Sequence, residues 1–114
     1  MNLDPATRKR LDALVTEHPV TLFLKGDRQA PRCGFSATVV EILDSLLTDY
    51  HTVDVLQDPE IREGIKVYSS WPTIPQLYVQ GEFVGGCDII REMFETGELE
   101  QFFKEKGVAL ANAA

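Results

Sequence analysis

Apolar residues recur along this chain at helical spacing in some stretches and form short unbroken runs in others, and the alternation predicts its elements. Asp4-Pro5 reads as an N-cap followed by proline at the first helical position, opening a helix to about residue 17 with Leu11, Leu14 and Val15 on one face. His18-Pro19 ends it. Residues 20–24, rich in β-branched and aromatic side chains, suit a buried strand. A loop over 26–32 is punctuated by Gly26 and Pro31. From 35 to 47, Val39, Val40, Ile42, Leu43, Leu46 and Leu47 mark an amphipathic helix. A second strand is predicted over 52–55. Asp58-Pro59 repeats the cap-plus-proline signature and opens a helix presenting Ile61, Ile65 and Tyr68. Residues 77–79 and 82–84 flank Gln80-Gly81 as a β-hairpin. Beyond Gly85-Gly86, Asp88 is placed as the cap of a helix to about residue 95. A last helix over 99–106 carries Phe102 and Phe103, and 109–114 reads as a frayed tail.

The strand–helix–strand beginning implies a parallel pair with a right-handed crossover. The hairpin adds two antiparallel strands, which gives an α/β fold with a four-stranded mixed sheet flanked by helices on both faces, the thioredoxin-like plan. The 114 residues suffice for one core. We divide them into a domain over 1–107 and a short C-terminal tail over 108–114.

Charge narrows the classes of function. A net charge of −7 argues against nucleic-acid binding, which needs a basic excess. No apolar run approaches the length needed to cross a bilayer, and residues 1–10 lack a signal-peptide stretch. Two cysteines are too few for a secreted disulfide framework, so a reducing compartment, the cytoplasm, is expected. His18 and His51 stand alone in sequence, with no spacing suited to zinc. Within this acidic chain, Lys25, Arg28, Arg32, Arg62 and Lys66 cluster in two segments. They read either as solvated loop and helix charges or as a local site for small carboxylates.

Cys33 lies where the 26–32 loop meets the long amphipathic helix. A thiol there faces unpaired backbone N–H groups and the positive end of the helix dipole, both of which favour thiolate, and Lys25 and Arg32 add to the effect. The alternative, a buried structural cysteine, is disfavoured because loop-to-helix junctions are usually exposed. In Cys33-Gly34-Phe35-Ser36 the fourth residue is a serine, so no second thiol one turn away can resolve a mixed disulfide. Disulfide chemistry must therefore finish with an external thiol or with Cys87. For Cys87 two readings stand, a small half-buried hydrophobe and a redox partner.

Lys25-Gly26, Pro31, Cys33-Gly34-Phe35-Ser36, Trp71-Pro72-Thr73-Ile74-Pro75-Gln76 and Gly81-Glu82-Phe83-Val84-Gly85-Gly86-Cys87-Asp88 together resemble the single-domain monothiol glutaredoxins of the CGFS class, across residues 4–107. One departure is Asp27-Arg28, where that family commonly has Thr-Pro. It implies a more flexible or more charged loop and bears on the choice of partner.

The resemblance implies the glutaredoxin form of the thioredoxin-like fold and a glutathione groove beside Cys33. In it, Lys25 and Arg62 meet the glycine carboxylate, and Thr73-Ile74-Pro75 pairs its backbone with the tripeptide, the proline being cis in relatives. The Cys87 and Asp88 amides, with the Asp88 carboxylate, take the γ-glutamyl end. Trp71 is read as a packing residue and kept off the site. The resemblance further implies a 2Fe–2S cluster. Such a cluster takes four thiolates; Cys33 from each of two chains and two glutathiones supply them, with Cys33 as the metal ligand and the cluster-bound protein a homodimer. The expected function is an iron–sulfur cluster carrier in cluster assembly or iron homeostasis, delivering to apo client proteins, with a BolA-like protein as hetero-partner. The alternative is a glutathione-disulfide oxidoreductase of at most weak activity, with Cys33 as nucleophile. A blander third reading is a redox sensor that forms a Cys33–Cys87 disulfide.

Overall fold

A computed structural model describes residues 3–111. Helix α1, Pro5–Thr16, starts where Asp4 accepts a hydrogen bond from the Thr7 N–H. Strand β1, Val20–Leu24, is buried along its whole length. Helix α2, Gly34–Leu46, follows the loop, and β2, His51–Asp54, runs parallel to β1. Helix α3, Pro59–Ser69, is capped by Asp58, whose side chain takes the Ile61 N–H. Strands β3, Gln76–Val79, and β4, Glu82–Gly85, form the hairpin, and α4, Cys87–Thr96, and α5, Glu98–Glu105, complete the chain.

The sheet order is β2-β1-β3-β4, with β1 parallel to β2 and the remaining pairs antiparallel. This is the mixed four-stranded α/β architecture expected from the pattern. Alternate residues of the central strands feed two cores. Val20, Leu22, Leu24, Leu77 and Val79 face one layer with Val39, Val40 and Leu43 of α2, Ile90 of α4 and Phe103 of α5. Phe23 and Tyr78 face the other, with Leu11 and Val15 of α1 and Ile61 and Ile65 of α3. Sandwiched in this way, β1 cannot slide by a residue without exchanging its two faces.

Several details differ from the sequence expectations. Strand β2 ends at Asp54, short of Val55, because the Asp54 carboxylate accepts the N–H groups of both Leu56 and Gly26 and turns 55–57 into a short 3-10 helix. Asp88 is not the cap of α4. That position belongs to Gly86, and Asp88 sits within the first turn with its carboxylate toward Arg91. The tail is attached as far as Ala111: Leu110 bridges Leu47, the Ala111 N–H donates to the Leu46 carbonyl, and Val108 and Leu110 pack on the core. The rest of the tail, 112–114, lies outside the described residues. The two histidines do not stand alone either, since their rings stack with centroids 4.0 Å apart. Burial and the neighbouring His18 push the His51 imidazole below its usual range.

Candidate functional site

The site is built where β1, through its loop, delivers Cys33 to the start of α2. Cys33 occupies the N-cap position in extended conformation, half-buried, and its sulfur closes no full cap hydrogen bond. The Ser36 amide nevertheless faces it closely enough to hold the thiol below its ordinary pKa. Burial opposes this, and the Phe35 amide, the Lys25 charge and the Ser36 hydroxyl add to the lowering. Ser36 itself is fully buried, and its Oγ accepts the Lys25 backbone N–H at 3.1 Å. The serine that replaces a resolving thiol thus ties the end of β1 to the first turn of α2.

The opposite wall comes from the 71–75 segment, which enters β3 through a cis Ile74–Pro75 bond. Gln76 explains how that wall is held. It is buried in an otherwise apolar strand, donates Nε2 to the carbonyls of Trp71 and Thr73 at 3.1 Å each, and accepts the Tyr78 hydroxyl at 3.2 Å. The third wall is the start of α4, where the Cys87 and Asp88 amides belong to the turn that a helix leaves without intrahelical partners. Between these walls lies a cleft of about 180 Å³ lined by Phe35, Trp71, Thr73, Ile74, Pro75, Gly86, Cys87 and Asp88.

The cleft therefore unites Thr73, Ile74, Pro75, Cys87 and Asp88. Cys33, Lys25 and Arg62 do not line it. Lys25 stands within electrostatic reach of the Cys33 thiol, and Arg62 on α3 is half-buried with its Nε unpartnered. The five clustered cations divide in two. Arg28 and Lys66 are paired with carboxylates, whereas Lys25, Arg32 and Arg62 form no ion pair among the described residues. Cys87 packs against the core beside Val84 and Met93, and burial pushes its thiol upward. Its burial fits the reading as a half-buried hydrophobe, and its place in the cleft wall keeps it beside the site.

Sequence reasoning missed Trp71, Phe35 and Gly86 as lining residues. Phe35 is 64% exposed directly beside the thiol, an apolar residue with no packing reason to be there. Trp71 packs on Phe83 as expected and also lines the cleft, with its indole N–H buried and unpartnered. A Cβ on Gly86 would stand 2.9 Å from that nitrogen, so the glycine is what lets the indole lie there. A larger cleft, about 550 Å³, opens at the other end of the sheet between His18, Tyr50, His51 and Val108. It holds no cysteine, whereas the smaller cleft is lined by Cys87 and by Phe35, two residues from Cys33.

The sequence profile of the glutaredoxin family matches residues 20–84, from β1 through β4. The chain belongs to the glutaredoxin family. It is 53% identical over 110 residues to a ycf64-like monothiol glutaredoxin of Synechocystis sp., covering 96% of this chain and all of that one. A chloroplastic monothiol glutaredoxin of rice, S7, is 52% identical over 99 residues, covering 87% of this chain and 59% of that longer protein. The solution structure of reduced apo GrxS14 of poplar superposes with a TM-score of 0.79 at 50% identity, covering 94% of this chain and 98% of that one. Among the described residues no helix is long and apolar enough to cross a membrane.

Proposed function

We propose that this monothiol glutaredoxin carries a 2Fe–2S cluster as cargo, held between two copies of the chain by Cys33 from each and by two glutathione thiolates. The observation that carries this reading is an accessible thiol held toward thiolate with nothing nearby to complete a metal site: no group of three or more His, Cys, Asp or Glu among the described residues could hold a metal ion. Cluster ligation takes four thiolates, so the missing ones must come from outside the chain. The cleft beside Cys33 supports glutathione as their source. Thr73, Ile74 and Pro75 offer backbone for strand-like pairing, the α4 N-terminus suits the γ-glutamyl carboxylate, and Lys25 and Arg62 are cations without a carboxylate partner among the described residues. Exposed and partly non-protein ligation favours transfer over retention, which fits delivery to apo client proteins, directly or with a BolA-like partner. Two free cysteines favour the cytoplasm, although one relative is named as chloroplastic.

The depressed Cys33 thiol also supports a secondary glutathione-disulfide oxidoreductase activity. The Cys33 thiolate would attack the glutathione sulfur of a mixed disulfide and expel the protein thiolate. A second glutathione thiolate would then attack, releasing glutathione disulfide and restoring Cys33.

Protein purified without oxygen in the presence of glutathione is expected to be a brown dimer with about two irons per pair, and Cys33→Ser to be colourless. Wild-type protein that stays iron-free after reconstitution with iron, sulfide and glutathione would overturn the carrier reading and leave the oxidoreductase. A second substitution tests the cleft. In Gly86→Ala the new methyl must displace the Trp71 indole, so glutathione affinity measured by calorimetry should fall about tenfold. Unchanged affinity would place glutathione elsewhere.

A further inference from the structure

Helices α2 and α4 both begin at the site and run away from it side by side over one core, where Val39, Ile42 and Leu43 meet Ile90. A groove of about 290 Å³ lies between their outer faces. Its apolar side chains are Ile42 and Phe94, and Phe94 is 39% exposed. Its carboxylates are Glu41 and Glu95, and neither forms an ion pair among the described residues. Glu92, one turn before Glu95, is likewise exposed and unpaired among them. On α3 and the hairpin, by contrast, carboxylates are met by cations: Glu60 by Arg10, Glu63 by Lys66 and Glu82 by Lys106. The cation that lines the groove, Arg91, donates to Asp88 at 3.3 Å. The groove is continuous with the cleft beside Cys33 along both walls. Phe35 lines the cleft and Thr38, one turn on, lines the groove; on α4, Asp88 lines the cleft and its partner Arg91 the groove. From Thr38 to Ser45 the groove follows α2 for about 10 Å, or two helical turns.

We propose that this groove docks a helix of a partner protein, one whose apolar stripe is edged by lysine or arginine, and so holds that partner against Cys33. Two apolar side chains one turn apart enter beside Ile42 and Phe94, in the manner of an amphipathic helix laid in a groove. The basic edges meet Glu41, Glu92 and Glu95. Charge decides among the occupants. A symmetric contact between two copies centred on the groove would set the same carboxylates against each other. Nucleic acid or an anionic bilayer would meet them with like charge. A seat of two turns is too small for a permanent complex, which suits a partner that takes the cargo and leaves. The proposal rests on Cys33 being the delivering thiol, and it deepens that reading by giving the chemistry of the recipient's docking segment.

The probe is a leucine–lysine peptide of about 18 residues with its leucines at helical spacing. It is titrated into the isotope-labelled full chain at low salt and followed by amide chemical shifts. Saturable shifts are expected at 38–45 of α2 and 91–95 of α4, and none with a leucine–glutamate peptide of the same pattern. Glu41→Lys combined with Glu95→Lys should weaken the leucine–lysine peptide about tenfold. Glu17→Lys combined with Glu100→Lys makes the same change of net charge at exposed carboxylates off the groove, and should weaken it less than about twofold. Phe94→Ala should weaken it about fivefold. Shifts spread evenly over the acidic surface, equal losses in the two charge-reversed variants, or unchanged affinity in Phe94→Ala would each overturn the proposal. Concentration-dependent shifts at the same amides without peptide would assign the groove to a second copy and overturn it too. Protein that loads iron as a brown dimer but shows no groove shifts in its iron-free form would overturn the groove alone. Groove binding by protein that cannot be loaded with iron would overturn the carrier reading alone.

Discussion

At neutral pH iodoacetamide is expected to modify Cys33 about tenfold faster than Cys87, because only the thiolate is nucleophilic. The two thiols are shifted in opposite directions by identifiable causes. Cys33 stands at the start of α2 with the Ser36 and Phe35 amides and the Lys25 charge favouring its anion, whereas Cys87 is driven upward chiefly by burial against the core. The sign of the pH dependence follows. The Cys33 rate should have its midpoint below that of a free thiol, which lies at about pH 8.5. The Cys87 rate should have its midpoint above that value, so the ratio between them narrows as the solution is made alkaline. Equal rates at neutral pH, or a Cys87 rate that levels first, would mean that the α2 N-terminus does not activate its thiol. Cluster ligation and disulfide exchange would then both lose their physical basis.

The caps of α1 and α3, the fully buried β1 and the glycine-marked hairpin were legible because each rests on interactions within a few residues. Asp4 and Asp58 act three residues along, and the Gln80-Gly81 turn carries positive φ at both positions, as such hairpins require. The alternation of Val20, Leu22 and Leu24 against Phe23 belongs to one strand and is visible in its sequence. What escaped depends on partners far along the chain. Asp54 ends its strand by reaching back to Gly26, and Leu110 finds Leu47. The His18–His51 stack exists only because β1 and β2 are neighbours.

The same distinction applies to the site. Cys33 could be singled out because a loop-to-helix junction is a local feature with a known field. The roles of its neighbours could not be separated, because the five cations look alike in sequence and differ only in what lies opposite them. Arg28 finds Asp44, sixteen residues away, and Lys66 finds Glu63, whereas Lys25 is left to the thiol. Trp71 was assigned one role and has two, since a ring can pack on Phe83 with one part and line a cleft with another. The sequence signal that could have found the wall was Gln76, a polar residue in a run of apolar ones, which has to spend its amide on something buried.

Phe103→Ala is expected to cost about 3–5 kcal/mol, a large share of the roughly 5–15 kcal/mol that holds a domain together. Phe103 is fully buried on α5, in the layer it shares with Val39, Val40 and Leu43 of α2 and Ile90 of α4. That helix lies beyond residues 20–84, the stretch matched by the family profile. If the folding unit were confined to the matched stretch, α5 would be an appendage and its truncation would cost little. The packing says otherwise. Without the Phe103 ring, the layer beneath the two helices whose N-termini carry Cys33 and Cys87 has a cavity, and α4 loses the element that backs it. The midpoint of thermal unfolding should fall by more than about 10 °C. Native-state hydrogen exchange at the amides of α4 should accelerate more than at those of α3, which belongs to the other layer and serves as the internal control. A loss below about 1 kcal/mol, or equal acceleration in α3 and α4, would show that the site's second helix does not depend on α5.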